Sequence, residues 1–178
     1  MASPLSDPLL GRTLKKSPKK EATLLLQPSI ERALSKDLEE LYAFELRCFD
    51  PGMAFHYRQF QELLRNPRAD VWVMRHESHI IAQAIILRRK FRDGVHARIY
   101  SLTVDLAFRG KGLSRQLLLH VFSKLKTRKI RNIYLEVEED AIIPIALYNS
   151  LGFKVHHRLV DYYEIGRHGL KMRKTLGL

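Results

Sequence analysis

Three places in the chain have residue types and spacings that can do chemistry. The first is Arg109-Gly110-Lys111-Gly112, a basic, glycine-bearing turn between the β-branched run ending at Val104 and a leucine-rich segment. Glycines let backbone N–H groups approach a ligand with no Cβ in the way, and the positive end of a helix dipole favours an anion there. Arg109, Lys111 and Arg115 add full charges, so a pyrophosphate would fit. The turn has neither the Gly-Lys-Ser/Thr of a nucleotide P-loop nor the spacing of a dinucleotide fingerprint, which disfavours ATP and NAD. A plain strand-to-helix connection is the competing reading.

The second place joins Glu136, in Ile133-Tyr134-Leu135-Glu136-Val137, to Tyr148 twelve residues later. Strand alternation puts Ile133, Leu135 and Val137 on one face and Tyr134, Glu136 and Glu138 on the other. Glu136 is therefore either a general base or a solvated strand carboxylate. Tyr148 is either a proton donor, its phenol near the ordinary pKa of about 10, or a core tyrosine. The third place is Asp161-Tyr162-Tyr163-Glu164, where two consecutive phenols either meet a ligand or pack at a sheet edge. The histidines form no H-E-x-x-H or similar ligand set, and no metal is expected.

The elements that must position these groups alternate along the chain. Ala22 to Gln27 is expected as a first strand stopped by Pro28, and Asp37 as the cap of a helix whose positions Leu38, Leu41, Tyr42, Glu45-Leu46 and Phe49 recur at helical spacing. Asp50-Pro51-Gly52 breaks that helix, and a second, Tyr57 to Arg65, ends before Asn66-Pro67. Strands are expected over Val71 to Arg75, Ile80 to Lys90 and Val95 to Val104, as an antiparallel meander. A long helix over 113–126 carries Leu113, Leu117, Val121 and Leu125 four apart, widened by Leu118 and Phe122. Strand Asn132 to Val137, a helix Pro144 to Ser150 capped by Asp140 or opened by Pro144, and strands Phe153 to Glu164 and Leu170 to Thr175 follow.

The bulk numbers fit one α/β domain. The chain has 178 residues, 46% hydrophobic and 28% charged, enough for one well-formed core. Its 31 Lys and Arg against 19 Asp and Glu give a net charge of +12, which favours anionic partners such as a phosphorylated cofactor, an acidic peptide or RNA. The charge is spread along the chain, so a generic solvated surface is an equal reading. The single cysteine, Cys48, excludes an internal disulfide framework and a Cys-rich zinc site and fits a reducing cytoplasm. No apolar run approaches the roughly 18–20 residues that span a bilayer, so a soluble, cytoplasmic protein with no membrane partner is expected. Residues 1–21, rich in Pro, Ser and Lys, are expected to be a flexible basic tail, and 22–178 the folded domain.

The succession of strand, Arg-x-x-Gly-x-Ser turn, amphipathic helix, "YLEV" strand and "ALYNSLGF" resembles the GNAT superfamily of acetyl-CoA-dependent N-acetyltransferases. The resemblance covers about 22 to 176 and is specific from Leu102 to Tyr163. It implies a single GNAT-like domain, a mixed, mostly antiparallel sheet of about seven strands flanked by about four helices. It implies that Arg109, Gly110, Lys111, Gly112, Leu113, Ser114 and Arg115 hold the pyrophosphate of acetyl-CoA, and that Leu102, Thr103 and Val104 pair with its pantetheine arm through their backbone. Three positions depart from the family pattern: Ser114 replaces Gly or Ala, Leu106 replaces a proline, and Ala141, beside Asp140, replaces an asparagine.

The features most resemble the RimI-like, ribosomal-protein-alanine branch, which acetylates protein N-termini. That likeness implies Glu136 as general base and Tyr148 as general acid, with a backbone N–H near Val104 polarising the thioester. It also implies that Tyr162 and Tyr163 contact the acceptor's backbone, with Phe49 and the loop to Phe55 as the opposite wall. An α-amine, with pKa about 7.8, is roughly 15% neutral at pH 7, and a lysine amine under about 0.1%, so an N-terminus asks about 3 kcal/mol less of the base. The expected acceptor is thus a protein or peptide N-terminus, a ribosomal protein being one candidate. Acetylation of lysine or a small amine is one alternative, and a non-catalytic RNA- or ribosome-binding module is the other; nucleic acid is not required as a partner.

Overall fold

The computed structural model describes residues 27–50 and 52–177. In chain order the elements are β1 (Ser29–Arg32), α1 (Leu38–Cys48), α2 (Tyr57–Arg65), β2 (Ala69–His76), β3 (His79–Phe91), β4 (Gly94–Val104), α3 (Leu113–Thr127), β5 (Asn132–Glu138), α4 (Ile142–Ser150), β6 (Lys154–Glu164) and β7 (Arg167–Thr175). Short 3-10 turns occupy Ser35–Asp37 and Leu106–Phe108. The strands form one sheet of seven in the order β1-β2-β3-β4-β5-β7-β6. Every neighbouring pair is antiparallel except β4 and β5. The expected α/β class, with a mostly antiparallel sheet and four helices, is what forms.

Each face of the sheet buries a helix pair. The stripe Leu113, Leu117, Leu118, Val121, Phe122 and Leu125 of α3 is buried against Ile86 of β3, Ile99 of β4 and Ile133 and Leu135 of β5. Such a side chain stabilises the fold by about 1.5–3 kcal/mol when fully buried. On the other face Leu41 and Phe44 of α1 and Phe60 of α2 pack on Val71, Val73, Ile80 and Ile85. A buried carboxylate, Asp70 on β2, is ringed by Arg32 of β1, Arg88 of β3 and Arg128 at the end of α3, and so ties three elements to β2.

Some local expectations change. The strand expected over Ala22 to Gln27 lies almost wholly outside the described residues, and Gln27 is not in a strand. The first strand instead follows Pro28, which opens an edge strand where a missing N–H costs nothing. Asp37 stands at the N-cap of α1, yet its carboxylate makes no cap bond to that helix. It accepts from the Leu34 N–H at 2.7 Å and from Arg75 at 2.9 Å instead. Neither Asp140 nor Pro144 opens α4: the helix starts at Ile142 after Ala141, and Pro144 sits in the first turn, where no N–H has an intrahelical partner. The tail expected over 1–21 lies outside the described residues.

Candidate active site

The site forms where the parallel pair comes apart. β4 and β5 match only at Ala97 with Ile133 and Arg98 with Tyr134, and beyond those residues the strands diverge. β4 stays paired with β3 as far as Val104, opposite Ala82, so its other edge is open along the gap. The Arg109 Nε donates to the Val104 carbonyl at 3.0 Å. A strand residue turns its N–H and C=O to the same edge, so Val104 and, two residues back, Leu102 present their backbone to the gap, while Thr103 turns to β3. Thr103 is buried, its hydroxyl 3.5 Å from that of Ser101.

The glycine turn lies at the end of that edge. Gly110 and Gly112 adopt φ of 75° and 77°, the left-handed region that favours glycine, and a Cβ at either would meet nothing within 4 Å. The space in front of the turn is open. Gly112 caps α3 with no side-chain partner, and as the first amides of a helix those of Leu113, Ser114 and Arg115 point out along its axis. Of the basic residues, Arg109 folds back onto Val104, Lys111 places its ammonium 4.8 Å from the Phe108 ring centre, and Arg115 donates to the Ser150 hydroxyl at 3.0 Å. Arg115 thereby joins the start of α3 to the end of α4. The donor set, backbone amides at a helix N-terminus with three cations around it, suits a pyrophosphate.

Across the gap, β5 alternates as expected: Ile133, Leu135 and Val137 are buried, and Tyr134, Glu136 and Glu138 face the other way. Glu136 is fixed by Arg98, whose Nε donates to Oε2 at 2.6 Å. Its other oxygen, Oε1, has the Lys171 Nζ 3.8 Å away, beyond hydrogen-bond length. Tyr148 on α4 is 9% exposed, with its ring edge-on to Phe153. Burial, with a smaller contribution from Tyr163, pushes its phenol up to about 12.

The tyrosine pair is set by a kink in β6. Asp161 adopts φ of 50°, and its N–H donates to His168 Nδ1 at 3.0 Å while its Oδ1 accepts from the Gly166 N–H at 2.8 Å. The register against β7 is broken there, between Leu159 and Glu164, which re-aims the next side chains. Tyr162 and Tyr163 then stand edge to face, 5.0 Å apart, over Gly169, where a Cβ would come within 3.3 Å of both rings. The Tyr162 hydroxyl lies 3.5 Å from Arg98. Burial and the neighbouring acidic groups raise the Tyr163 phenol.

The loop after α1, expected as the opposite wall, meets β4 through Phe55. Phe49 ends that helix, its N–H bonded to the Glu45 carbonyl, and Phe55 stacks on Tyr100 of β4 with ring centres 5.5 Å apart. The loop is anchored from below by Glu45, 1% exposed, which accepts from the Phe55 N–H at 3.2 Å and from Gln83 at 2.6 Å. Burial raises the Glu45 carboxyl above the usual range.

The structure thus brings together Glu136, Tyr148, Tyr162 and Tyr163 about one gap, with the turn of Arg109 to Arg115 at its end. Sequence reasoning missed Arg98, Lys171, Glu45, Tyr100 and the Asp161 kink. Arg98 had one signal, its place between His96 and Tyr100 on the polar side of β4. Its pairing with Glu136 depends on the β4–β5 register, which no local pattern carries.

A profile of the "Acetyltransferase (GNAT) family" matches residues 22–153, well over half of the chain. The chain belongs to the acetyltransferase (GNAT) family. Within the family it is similar to the [Ribosomal protein bS18]-alanine N-acetyltransferase of Salmonella typhimurium, 39% identical over 67 residues, which are 38% of this chain and 45% of that protein. The chain therefore matches a little under half the length of that curated relative. A shorter stretch of 64 residues is 41% identical to a mycothiol acetyltransferase of Amycolatopsis mediterranei, covering 36% of this chain and 21% of that one. Among solved GNAT structures, the Escherichia coli ribosomal-protein-S18-alanine N-acetyltransferase superposes with a TM-score of 0.73 at 23% identity, over 85% of this chain and 95% of that one. Arabidopsis thaliana NAA60 in complex with acetyl-CoA gives 0.71 at 17%, over 84% and 98%. At such identities the shared property is the fold.

Proposed function

We propose that the protein transfers the acetyl group of acetyl-CoA to the N-terminal α-amine of a protein, by direct attack within a ternary complex. The observation that carries this reading is the gap itself: an open β4 edge runs from the glycine turn at the α3 N-terminus to a carboxylate and a buried phenol. The likeness to ribosomal-protein-alanine N-acetyltransferases supports the acceptor class, with a ribosomal protein as one candidate and the cytoplasm as the place of work.

Acetyl-CoA supplies the activated acyl group. The amides of Gly110 to Arg115 hold its pyrophosphate, and the edge of Leu102 to Val104 takes the extended arm. The Val104 N–H, turned into the gap, is placed to polarise the thioester carbonyl. Glu136, held by Arg98, accepts the proton that the attacking amine loses, through a water at Oε1. The amine nitrogen bonds to the carbonyl carbon, the carbon–sulfur bond breaks, and the electron pair leaves on sulfur. The Tyr148 O–H hydrogen-bonds to that sulfur without giving up its proton, and the thiolate takes a proton from solvent on release. Tyr162 and Tyr163 on one side, and Phe49 and its loop on the other, hold the acceptor's first residues.

Thiol release from acetyl-CoA tests this with peptides varied in their first two residues, each beside an N-terminally blocked, lysine-containing twin. Release with free N-termini alone is expected, and release with the blocked peptides alone would reassign the enzyme to lysine. Glu136→Gln should lower kcat by about 10²–10⁴ while acetyl-CoA binding, followed by calorimetry, stays within about twofold.

A further inference from the structure

A cavity of about 860 Å³ opens beside Glu136 and Tyr162 on the sheet face away from α3 and α4, and runs toward the β3–β4 hairpin. Strand register gives its length. Arg89 of β3 lies opposite His96 of β4, Arg98 lies opposite both Leu87 and Tyr134, and Glu136 is two residues beyond Tyr134. From the Arg89 level to Glu136 is four residue steps, about 13 Å, the span of about four residues of an extended chain.

The lining is one-sided in charge. It includes the cations Arg68, Arg89, Arg98 and Lys171 and the histidines His96, His156 and His157, against a single carboxylate, Glu136. Arg98 and Lys171 are turned to that carboxylate. Arg68 and Arg89, at the far end, have no acidic partner among the described residues; Arg89 rests only on the ring of Phe91, and the Arg68 carbonyl is bonded to the Arg88 N–H beside it. The cavity therefore offers a carboxylate at one end and two unneutralised guanidinium groups at the other.

We propose that this cavity is the acceptor channel and that it selects protein N-termini carrying an aspartate or glutamate at about the fourth or fifth position. The inference rests on the α-amine reading above. An N-terminal peptide with its amine at Glu136 and a carboxylate four residues on matches both ends of the channel, and guanidinium groups are suited to carboxylates. A nucleic acid matches less well. Its backbone would place phosphate against Glu136, and the aromatic faces bases would need are taken: Phe91 stacks on His96 at 4.9 Å and His96 on Tyr134 at 5.5 Å.

The test uses free-amine peptides of one common first pair of residues, with Asp, Ala or Lys placed singly at positions three to seven, and reads kcat/KM by thiol release. In the wild type, Asp at position four or five should exceed Ala by about fivefold, and Lys should fall below Ala. In Arg68→Ala/Arg89→Ala the Asp-to-Ala ratio should drop below about twofold, Arg89→Lys should restore part of it, and Arg89→Glu should reverse the order of Asp and Lys. A ratio within one variant is independent of how much of it is folded. Equal rates for Asp and Ala peptides in the wild type would overturn the channel while leaving the α-amine reading intact; turnover of blocked lysine peptides alone would overturn both. If no amine is turned over, anisotropy of a C-terminally labelled acidic peptide with CoA present decides, and binding indifferent to Arg68 and Arg89 overturns the proposal. Steeply salt-dependent binding of a single-stranded oligonucleotide, lost with both arginines and without any acidic-peptide preference, would also overturn it.

Discussion

Replacing Tyr148 by Phe removes one hydroxyl from a ring that is otherwise buried among apolar side chains. With its pKa near 12, the phenol is a reluctant proton donor to a thiolate whose conjugate thiol resembles cysteine at about 8.5. Full transfer would be uphill by about 3.5 units, or roughly 5 kcal/mol, so in the proposed mechanism Tyr148 would act as a neutral hydrogen-bond donor to the developing sulfur anion and stay protonated. Loss of one such donor costs about 10²–10³ in kcat. Thiol release by Tyr148→Phe should therefore fall by that factor at every pH from 6 to 9, with the shape of the profile unchanged. The same shift has a stability consequence. Since the folded pKa lies above the unfolded value of about 10, the folded state binds the extra proton between the two values, and stability fully present below pH 10 is lost as pH rises toward 12. The loss should reach roughly 1.4 kcal/mol at pH 11, visible as a drop in denaturant midpoint between pH 9 and pH 11 that Tyr148→Phe lacks. An alkaline limb of activity between pH 8 and 10 that vanishes in Tyr148→Phe would refute the reasoning, because the phenol would then be titrating in the working range.

Gly112→Ala puts a side chain at φ of 77° with open space around its Cβ, so its cost is conformational, about 1–2 kcal/mol. A lower thermal midpoint and weaker acetyl-CoA binding by calorimetry are expected, and wild-type values for both would show that the turn relaxes freely. Asp70→Asn leaves Arg32, Arg88 and Arg128 around a neutral group and should destabilise by about 3–5 kcal/mol in urea titration. A loss under about 1 kcal/mol would mean that the three arginines are held by solvent rather than by this carboxylate.

Much of this arrangement was legible because it is local. The period of two in β5 assigned Glu136 to the polar face, and the leucines of α3 spaced by four assigned its buried stripe. Gly110 and Gly112 marked the turn because only glycine adopts its backbone angles without strain. The rest depended on contacts distant in sequence. Arg98 and Glu136 are 38 residues apart and meet only in a register set by both strands packing under α3. Tyr162 and Tyr163 are consecutive, and both rings come to Gly169 within the register break that follows the left-handed Asp161, itself held by His168 and Gly166. Glu45 falls at helical spacing within the apolar stripe of α1, but the partners that bury it, the Phe55 loop and Gln83 of β3, are distant in sequence.

The position of the site follows from the one parallel pair among the described strands. Parallel neighbours need a crossover, and here α3 makes it, so the helix begins where β4 ends and finishes where β5 begins. A helix N-terminus and the carboxyl ends of two strands then meet at a single edge of the sheet, where an extended anionic ligand finds amides in both. The tight antiparallel hairpins β2–β3, β3–β4 and β6–β7 create no such meeting point. Because β5 is bordered by β7 and departs from β4 after two matched residues, the divergence that opens the β4 backbone also uncovers the polar face of β5, with Glu136 on it. The cofactor edge and the Glu136 end of the proposed acceptor channel thus meet at the same opening. A change that closed the β4–β5 gap would be expected to remove acetyl-CoA binding and acceptor binding together.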